Sequence, residues 1–321
     1  MKKQMLVLLA VVSLVSMTVN ASTVAYWRFE EGPANAQVPH PVAGGQYYEG
    51  VVDSSGNGNG LSVWDESGAG YLYKTEVGGS TVNGVANNYS VKNSGGGPAM
   101  WTDTADPINS ITPAAFTVEA TFKIENGGYK TIVGRDSTGT ATAGTNTDGK
   151  LAALYFQAIP DNGLAIKFCD VSGYWHEALA APGSYVGFDW GTDPDGTKAH
   201  WYSMAGVSDG KMLSLWLRDA STEGAWQMIA QTDMSVVNPG STNTALTAGA
   251  GDGGDWDAGN WTVGRGLYGG GHGDRAYGYI DEVRISDAAL STDQFLMVVP
   301  EPATMLVLGL GALMAGRIRR K

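Results

Sequence analysis

The chain has 321 residues, among them 46 glycines, ten tryptophans and a single cysteine, and its formal net charge is −12. One cysteine excludes an internal disulfide, and the acidic excess excludes nucleic acid as a partner because like charges repel. Glycine, at about one residue in seven, is double its usual share and is scattered between short aromatic and β-branched runs, the composition of strands joined by turns.

The N-terminus opens with Lys2 and Lys3, followed by an apolar stretch over 5–17 broken only by Ser13 and Ser16. Val19-Asn20-Ala21 then supplies a small-x-small site, so residues 1–21 read as a secretory signal peptide cut after Ala21. The first strand is predicted over 24–29, with Ala25, Trp27 and Phe29 on one face and Tyr26, Arg28 and Glu30 on the other. Residues 53–60 form a turn rich in residues suited to positive φ. Residues 65–110 are ambiguous, with short runs at 71–73 and 89–91.

The clearest strand spans 116–124, where Phe116, Val118, Ala120, Phe122 and Ile124 alternate with Thr117, Glu119, Thr121 and Lys123. That alternation predicts one buried and one wet face. Further strands are expected over 131–134, 151–158, 164–171, 200–207, 212–218, 226–232, 261–263 and 277–285, with long loops over 135–149 and 233–260. Asp209-Gly210 between two of them is a hairpin signal. Cys169 falls in the apolar phase of its strand and reads as a structural thiol. The one helical signal is a single turn over 291–295, capped by Ser291.

So many strands bury their apolar faces best as two stacked antiparallel sheets. Four segments carry a family resemblance. Ala25-Tyr26-Trp27-Arg28-Phe29-Glu30-Glu31-Gly32, with Asp53-Ser54-Ser55-Gly56-Asn57-Gly58, is similar to the opening of the LamG-like, concanavalin A-like lectin/glucanase jelly roll. The 116–122 strand resembles its central strand, and Ile280-Asp281-Glu282-Val283-Arg284-Ile285-Ser286 its closing one. The resemblance implies one all-β jelly-roll domain over 23–298, of a kind whose members bind glycans or a structural Ca²⁺, although a fold alone settles no function.

The C-terminus, 299–321, is of another kind. Pro300-Glu301-Pro302 precedes an apolar run over 303–316 and the basic residues Arg317, Arg319, Arg320 and Lys321. The run is about 14 residues, short of the ~20 of a durable spanning helix. The arrangement resembles the PEP-CTERM sorting signal. That resemblance implies a C-terminal apolar helix held transiently in the inner membrane and an exosortase-type processing protease. It also implies delivery to the surface or extracellular polysaccharide of a Gram-negative bacterium. Between the two ends stand fourteen basic and thirty-one acidic residues, a net charge of −17.

Asp281 shares the alternation phase of Tyr279, Val283 and Ile285, which places a carboxylate toward the core with no basic partner in that phase. It either accepts backbone N–H groups at the strand mouth or holds a cation. Carried over from related folds, the calcium ligands would be Glu30 or Glu31, Asp53, Asn57 and Asp281. Asp252, Asp255, Asp257 and Asn260 lack an EF-hand's terminal Glu and read as a solvated loop, as do Asp193 and Asp195. Trp190, Trp256 and Tyr268, on glycine-rich segments, are the aromatic candidates for stacking on sugar rings.

Gly264-Arg265-Gly266-Leu267-Tyr268-Gly269 spells a dinucleotide fingerprint, but it leads into more glycines and not into a helix, so it has no pyrophosphate site. No HExxH, no GxSxG nucleophile elbow and no Glu-x-Asp-x-x-Glu carboxylate triplet is present. The expectation is a secreted, non-catalytic surface protein, glycan-binding or structural. The alternative is a polysaccharide-active enzyme on the same fold.

Overall fold

The computed structural model describes residues 22–39, 49–64, 70–93, 95, 97–137, 143–144, 151–249, 259–268 and 271–299. Ala21, Trp256, Pro300, Glu301, Pro302 and the apolar run lie outside them. The strands come in chain order. The first eight are β1 (Thr23–Trp27), β2 (Glu49–Val51), β3 (Leu61–Trp64), β4 (Tyr71–Lys74), β5 (Thr81–Val82), β6 (Val85–Ala86), β7 (Ser90–Asn93) and β8 (Ala99–Trp101). The middle of the chain supplies β9 (Phe116–Ile124), β10 (Lys130–Arg135), β11 (Ala143–Gly144), β12 (Leu154–Ile159), β13 (Gly163–Cys169) and β14 (Tyr174–Leu179). Then follow β15 (Tyr202–Ser208), β16 (Met212–Asp219), β17 (Gln227–Asp233), β18 (Trp261–Val263), β19 (Gly266–Tyr268), β20 (Gly271–Gly273), β21 (Gly278–Ser286) and β22 (Val298–Val299).

Two large sheets form the body. Sheet I runs β17-β16-β15-β9-β21-β7-β4, with β1 also paired to β21. Sheet II runs β11-β14-β13-β12-β10-β18-β8-β3-β2. The pairs between long strands are antiparallel, and the two sheets stack as a jelly-roll sandwich. First and last strands are neighbours: Trp27 sits opposite Val283 and Tyr26 opposite Arg284.

The core lies between the sheets. Trp27, Val118, Phe122, Met204, Leu215 and Ile285 from sheet I meet Val63, Val133, Phe156, Ile166 and Val263 from sheet II, all fully buried or nearly so. Phe116 and Phe168 close edge to face across the gap at 5.2 Å. Gly206 is required there, because a Cβ would run into Ile166 and Phe156 of the opposite sheet. Gly210 takes φ 89° in the Asp209-Gly210 turn that joins β15 to β16.

Four features differ from the sequence expectations. All nine residues of β9 are buried, so neither of its faces is wet. The second face is covered by residues 287–299 and by a small three-stranded sheet, β22-β5-β6. Residues 291–295 form a hydrogen-bonded turn and not a helix. The one α-helical turn among the described residues is α1 (Met234–Val237), capped by Asp233. Cys169 is buried, but on the face of β13 opposite Ile166 and Phe168, against Tyr155 and Trp175. Finally, a bulge at Glu282, with φ 49°, shifts the register between Asp281 and Arg284. One extra residue reverses the alternation. Ile280, Val283 and Ile285 therefore face the core, while Tyr279 packs in the outer cluster with Trp201 and Val298.

Candidate functional site

The outer face of sheet II carries a groove of about 410 Å³. Its floor follows from strand register. Tyr155 on β12 lies opposite Lys167 on β13, which lies opposite Glu177 on β14, so the three form one row across the sheet. On one side of that row Cys169 pairs with Trp175, and on the other Gln157 pairs with Ala165. Tyr155 and Trp175 are buried and meet edge to face at 6.0 Å. The Tyr155 hydroxyl donates to the Leu267 carbonyl, which ties the β19–β20 hairpin to the floor. Gln157 is held by the Thr131 hydroxyl at 3.2 Å.

The rim is aromatic and open. Tyr129, from the β9–β10 loop, is 51% exposed, and Tyr268, on β19, is 58% exposed. The Lys167 ammonium sits 5.7 Å from the Tyr129 ring and 4.0 Å from the Glu177 carboxylate. Burial pulls the Lys167 ammonium below its ordinary range, against the raising effect of Glu177 and Asp274. Asp274 closes the groove, and burial raises its carboxyl against the lowering effect of Lys167 and Lys130. The result is a trough with ring faces on its walls and amide, ammonium and carboxylate groups along its floor.

Of the aromatic residues expected to bind, Tyr268 is in this groove. Trp190 is elsewhere, between the tilted rings of Phe188 and Tyr277 at 5.8 and 6.0 Å. Sequence reading missed Tyr129, Gln157, Lys167, Glu177 and Asp274. The available signal was aromatic Tyr155 in the outward phase of its predicted strand.

The five residues expected to hold calcium do not form one cage. Glu30 accepts from the Asn88 and Tyr89 backbone and the Asn88 side chain, and Glu31 from Val52 N–H and the Tyr73 hydroxyl. Asp53 accepts three backbone N–H groups, from Tyr26, Ser55 and Asn59, as a turn-forming carboxylate does. Asn57 turns its amide N–H₂ to the carbonyls of Thr23 and Val24. Asp281 faces away from the core and accepts from Asn87 Nδ2 at 2.8 Å. No group of three or more His, Cys, Asp or Glu among the described residues is placed to hold a metal ion.

Two buried oxygens there, Asp281 Oδ1 and Asn87 Oδ1, lack hydrogen-bond partners. Two oxygens fall far short of the six to eight that Ca²⁺ takes, so the set does not fit that ion. A proton on Asp281 fits better, since burial and then the neighbouring Glu282 charge raise its carboxyl well above the usual range. Glu282 is itself raised by burial and is bonded to Tyr26 and Arg28.

One cluster has the composition of a catalytic triad without its order. His176 Nε2 lies 2.8 Å from Asp170 Oδ2, but Ser241 donates to that same carboxylate and not to the imidazole. Both His176 and Asp170 are fully enclosed. The serine has no base, so the cluster is a brace for the β13–β14 turn. Asp193 likewise bonds Thr197 and Lys198 N–H groups within its own loop.

Residues 298–321 match the PEP-CTERM protein-sorting motif. The chain is thus a secreted, envelope-associated protein addressed to an exosortase-type sorting system. No curated protein matches the chain. Among solved structures, it is similar to domain 4 of AbnA, a GH43 extracellular arabinanase from Geobacillus stearothermophilus solved with arabinotriose. That likeness has 11% identity and a TM-score of 0.48, over 85% of this chain and 96% of that one. It is also similar to the botulinum neurotoxin serotype C1 binding domain, at 9% identity and TM-score 0.42, and to the type G receptor binding domain, at 8% and 0.45. The chain spans about half the length of those neurotoxin domains.

Proposed function

We propose that the sheet II groove binds a segment of extracellular polysaccharide, and that the protein is a non-catalytic glycan-binding component of a Gram-negative cell surface. The observation that carries this is the pair of exposed rings, Tyr129 and Tyr268, over the Tyr155–Lys167–Glu177 row. A sugar ring offers an apolar C–H face and a rim of hydroxyls. Aromatic walls take the first, and fixed donors and acceptors take the second. The apolar run over 303–316 holds the unprocessed chain in the inner membrane until the exosortase-type protease acts.

Titration calorimetry against a panel of soluble polysaccharides, with and without calcium, tests the groove. The expected result is binding that falls at least about tenfold, roughly 1.4 kcal/mol, in Tyr268→Ala. Binding that survives both Tyr129→Ala and Tyr268→Ala removes the proposal.

The raised Asp274 carboxyl, in the same groove as Glu177, favours a second reading, a hydrolase using these two as acid and nucleophile or base. Reducing-end release from a bound polysaccharide, abolished by Asp274→Asn, would establish it. Lys167 stands against it, because its ammonium neutralises the pair and ties Glu177 to the floor.

A further inference from the structure

The sorting match begins at Val298, and its first two residues are β22. The strand is fixed on both sides. Val298 pairs with Val82 and Val299 with Thr81, the Arg218 guanidinium donates to the Val298 carbonyl at 2.5 Å, and Asn83 Oδ1 accepts from Met297 N–H at 2.8 Å. The folded body therefore continues to Val299, and the apolar run starts at Ala303. Four residue steps span at most about 14 Å when fully extended. The polar layer of a bilayer leaflet is itself about 5–8 Å deep.

The surface around that exit differs from the rest of this acidic chain. Residues 77–91 contain no charged side chain. Their hairpin tip, 83–86, is exposed, and Val85, Met297 and Val299 present 54%, 38% and 39% of their surface. Two neighbouring charged groups are spent on this segment's own polar atoms. Arg28 donates to the Ala86 carbonyl at 2.7 Å, and Glu30 accepts from Asn88. A body with a net charge of −17 is repelled by anionic lipid, and an uncharged patch is where that repulsion is weakest.

We propose that, in the unprocessed chain, the β22-β5-β6 face lies flat on the bilayer surface, with Val85, Met297 and Val299 at headgroup depth. This rests on the reading that residues 303–316 enter the membrane. Because β22-β5-β6 covers the outer side of sheet I, the sheet II groove then points away from the bilayer, open to the polysaccharide.

The test uses the full chain reconstituted in phosphatidylethanolamine/phosphatidylglycerol vesicles containing spin-labelled lipid. Cys169 is fully buried, so Asn83→Cys or Val85→Cys carries the one reactive thiol for an environment-sensitive fluorophore. The control is Val236→Cys, an exposed position on α1, which follows the edge strand β17 and is no part of β22-β5-β6. Expected are a blue shift and loss of most of the emission at 83 and 85, none at 236, and none at any site once the chain is cut after Val299. Labels at 83 and 85 that stay unquenched while the chain floats with the vesicles overturn the proposal alone. Failure of the full chain to float overturns the membrane reading and the proposal with it.

Discussion

The two outer faces of the sandwich begin from the same alternation of apolar and polar residues and end differently. On sheet I the outward residues Thr117, Glu119 and Thr121 are roofed by residues 287–299 and the β22-β5-β6 region, and Lys123 by Glu76 and the carbonyls of Asp195 and Gly196. Each found a partner under the roof: Glu119 meets Arg284 at 2.5 Å and the Leu296 N–H at 2.7 Å, and Thr121 meets Ser203 at 3.0 Å. Thr117 donates to the Ala288 carbonyl, and Lys123 pairs with Glu76. On sheet II the β19–β20 hairpin covers Tyr155 alone, and its row neighbours Lys167 and Glu177 border an open groove. The lesson is that an outward polar residue becomes structural when it is covered and becomes available for recognition when it is not.

That contrast can be broken in stages. Glu119→Ala leaves the Arg284 side chain, 13% exposed, without its carboxylate, and breaking a fully buried pair of this kind costs about 3–5 kcal/mol, the upper bound here. Chemical denaturation should show this. A loss below about 1 kcal/mol, the scale of an exposed ion pair, would mean that the roof does not exclude water.

Asp281→Asn is expected to act next, and in the opposite direction. A carboxyl raised in the folded state contributes stability that is full below its unfolded value and is lost as pH rises through the folded one. Thermal melts should therefore show Asp281→Asn gaining on the native protein at about pH 8 and matching it near about pH 4, the ordinary carboxylate range. The amide keeps an oxygen for Asn87 Nδ2 and removes the carboxyl that burial holds protonated. Equal shifts at both pH values would rule out a protonated Asp281, and a calcium-dependent melt in the native protein would reopen the cation reading.

The smallest effect belongs to the open face. Tyr268→Ala, at 58% exposure, should change stability by no more than about 0.5 kcal/mol while weakening polysaccharide binding. A large destabilisation would make Tyr268 part of the scaffold and close the contrast between the faces.

The sandwich was legible because its long strands alternate cleanly. β9 and β18 fall on the predicted residues, Asp209-Gly210 turns between β15 and β16, and the opening and closing strands pair as the family resemblance implies. β14 was not legible. It puts Trp175 outward and His176 inward, which scrambles the period. The face of Asp281 was misread because a bulge adds a residue without leaving a mark in the hydrophobic pattern. Most of the groove was invisible for a different reason. Lys167 and Glu177 look like any solvated strand residues until register sets them side by side with Tyr155. The ambiguity of 65–110 has the same origin, since its strands are two to four residues long and β5, β7 and β8 take partners from far along the chain.

The position of β21 has a consequence in time. This strand contacts β1, β7 and β9 at once, so it is the keystone of sheet I, yet it is the last long strand the ribosome makes. Pairings of such wide sequence separation form slowly. Until residue 286 has emerged, β1 waits with its edge bare, and the nascent chain needs a holding chaperone or an immediate exit before its two ends can meet.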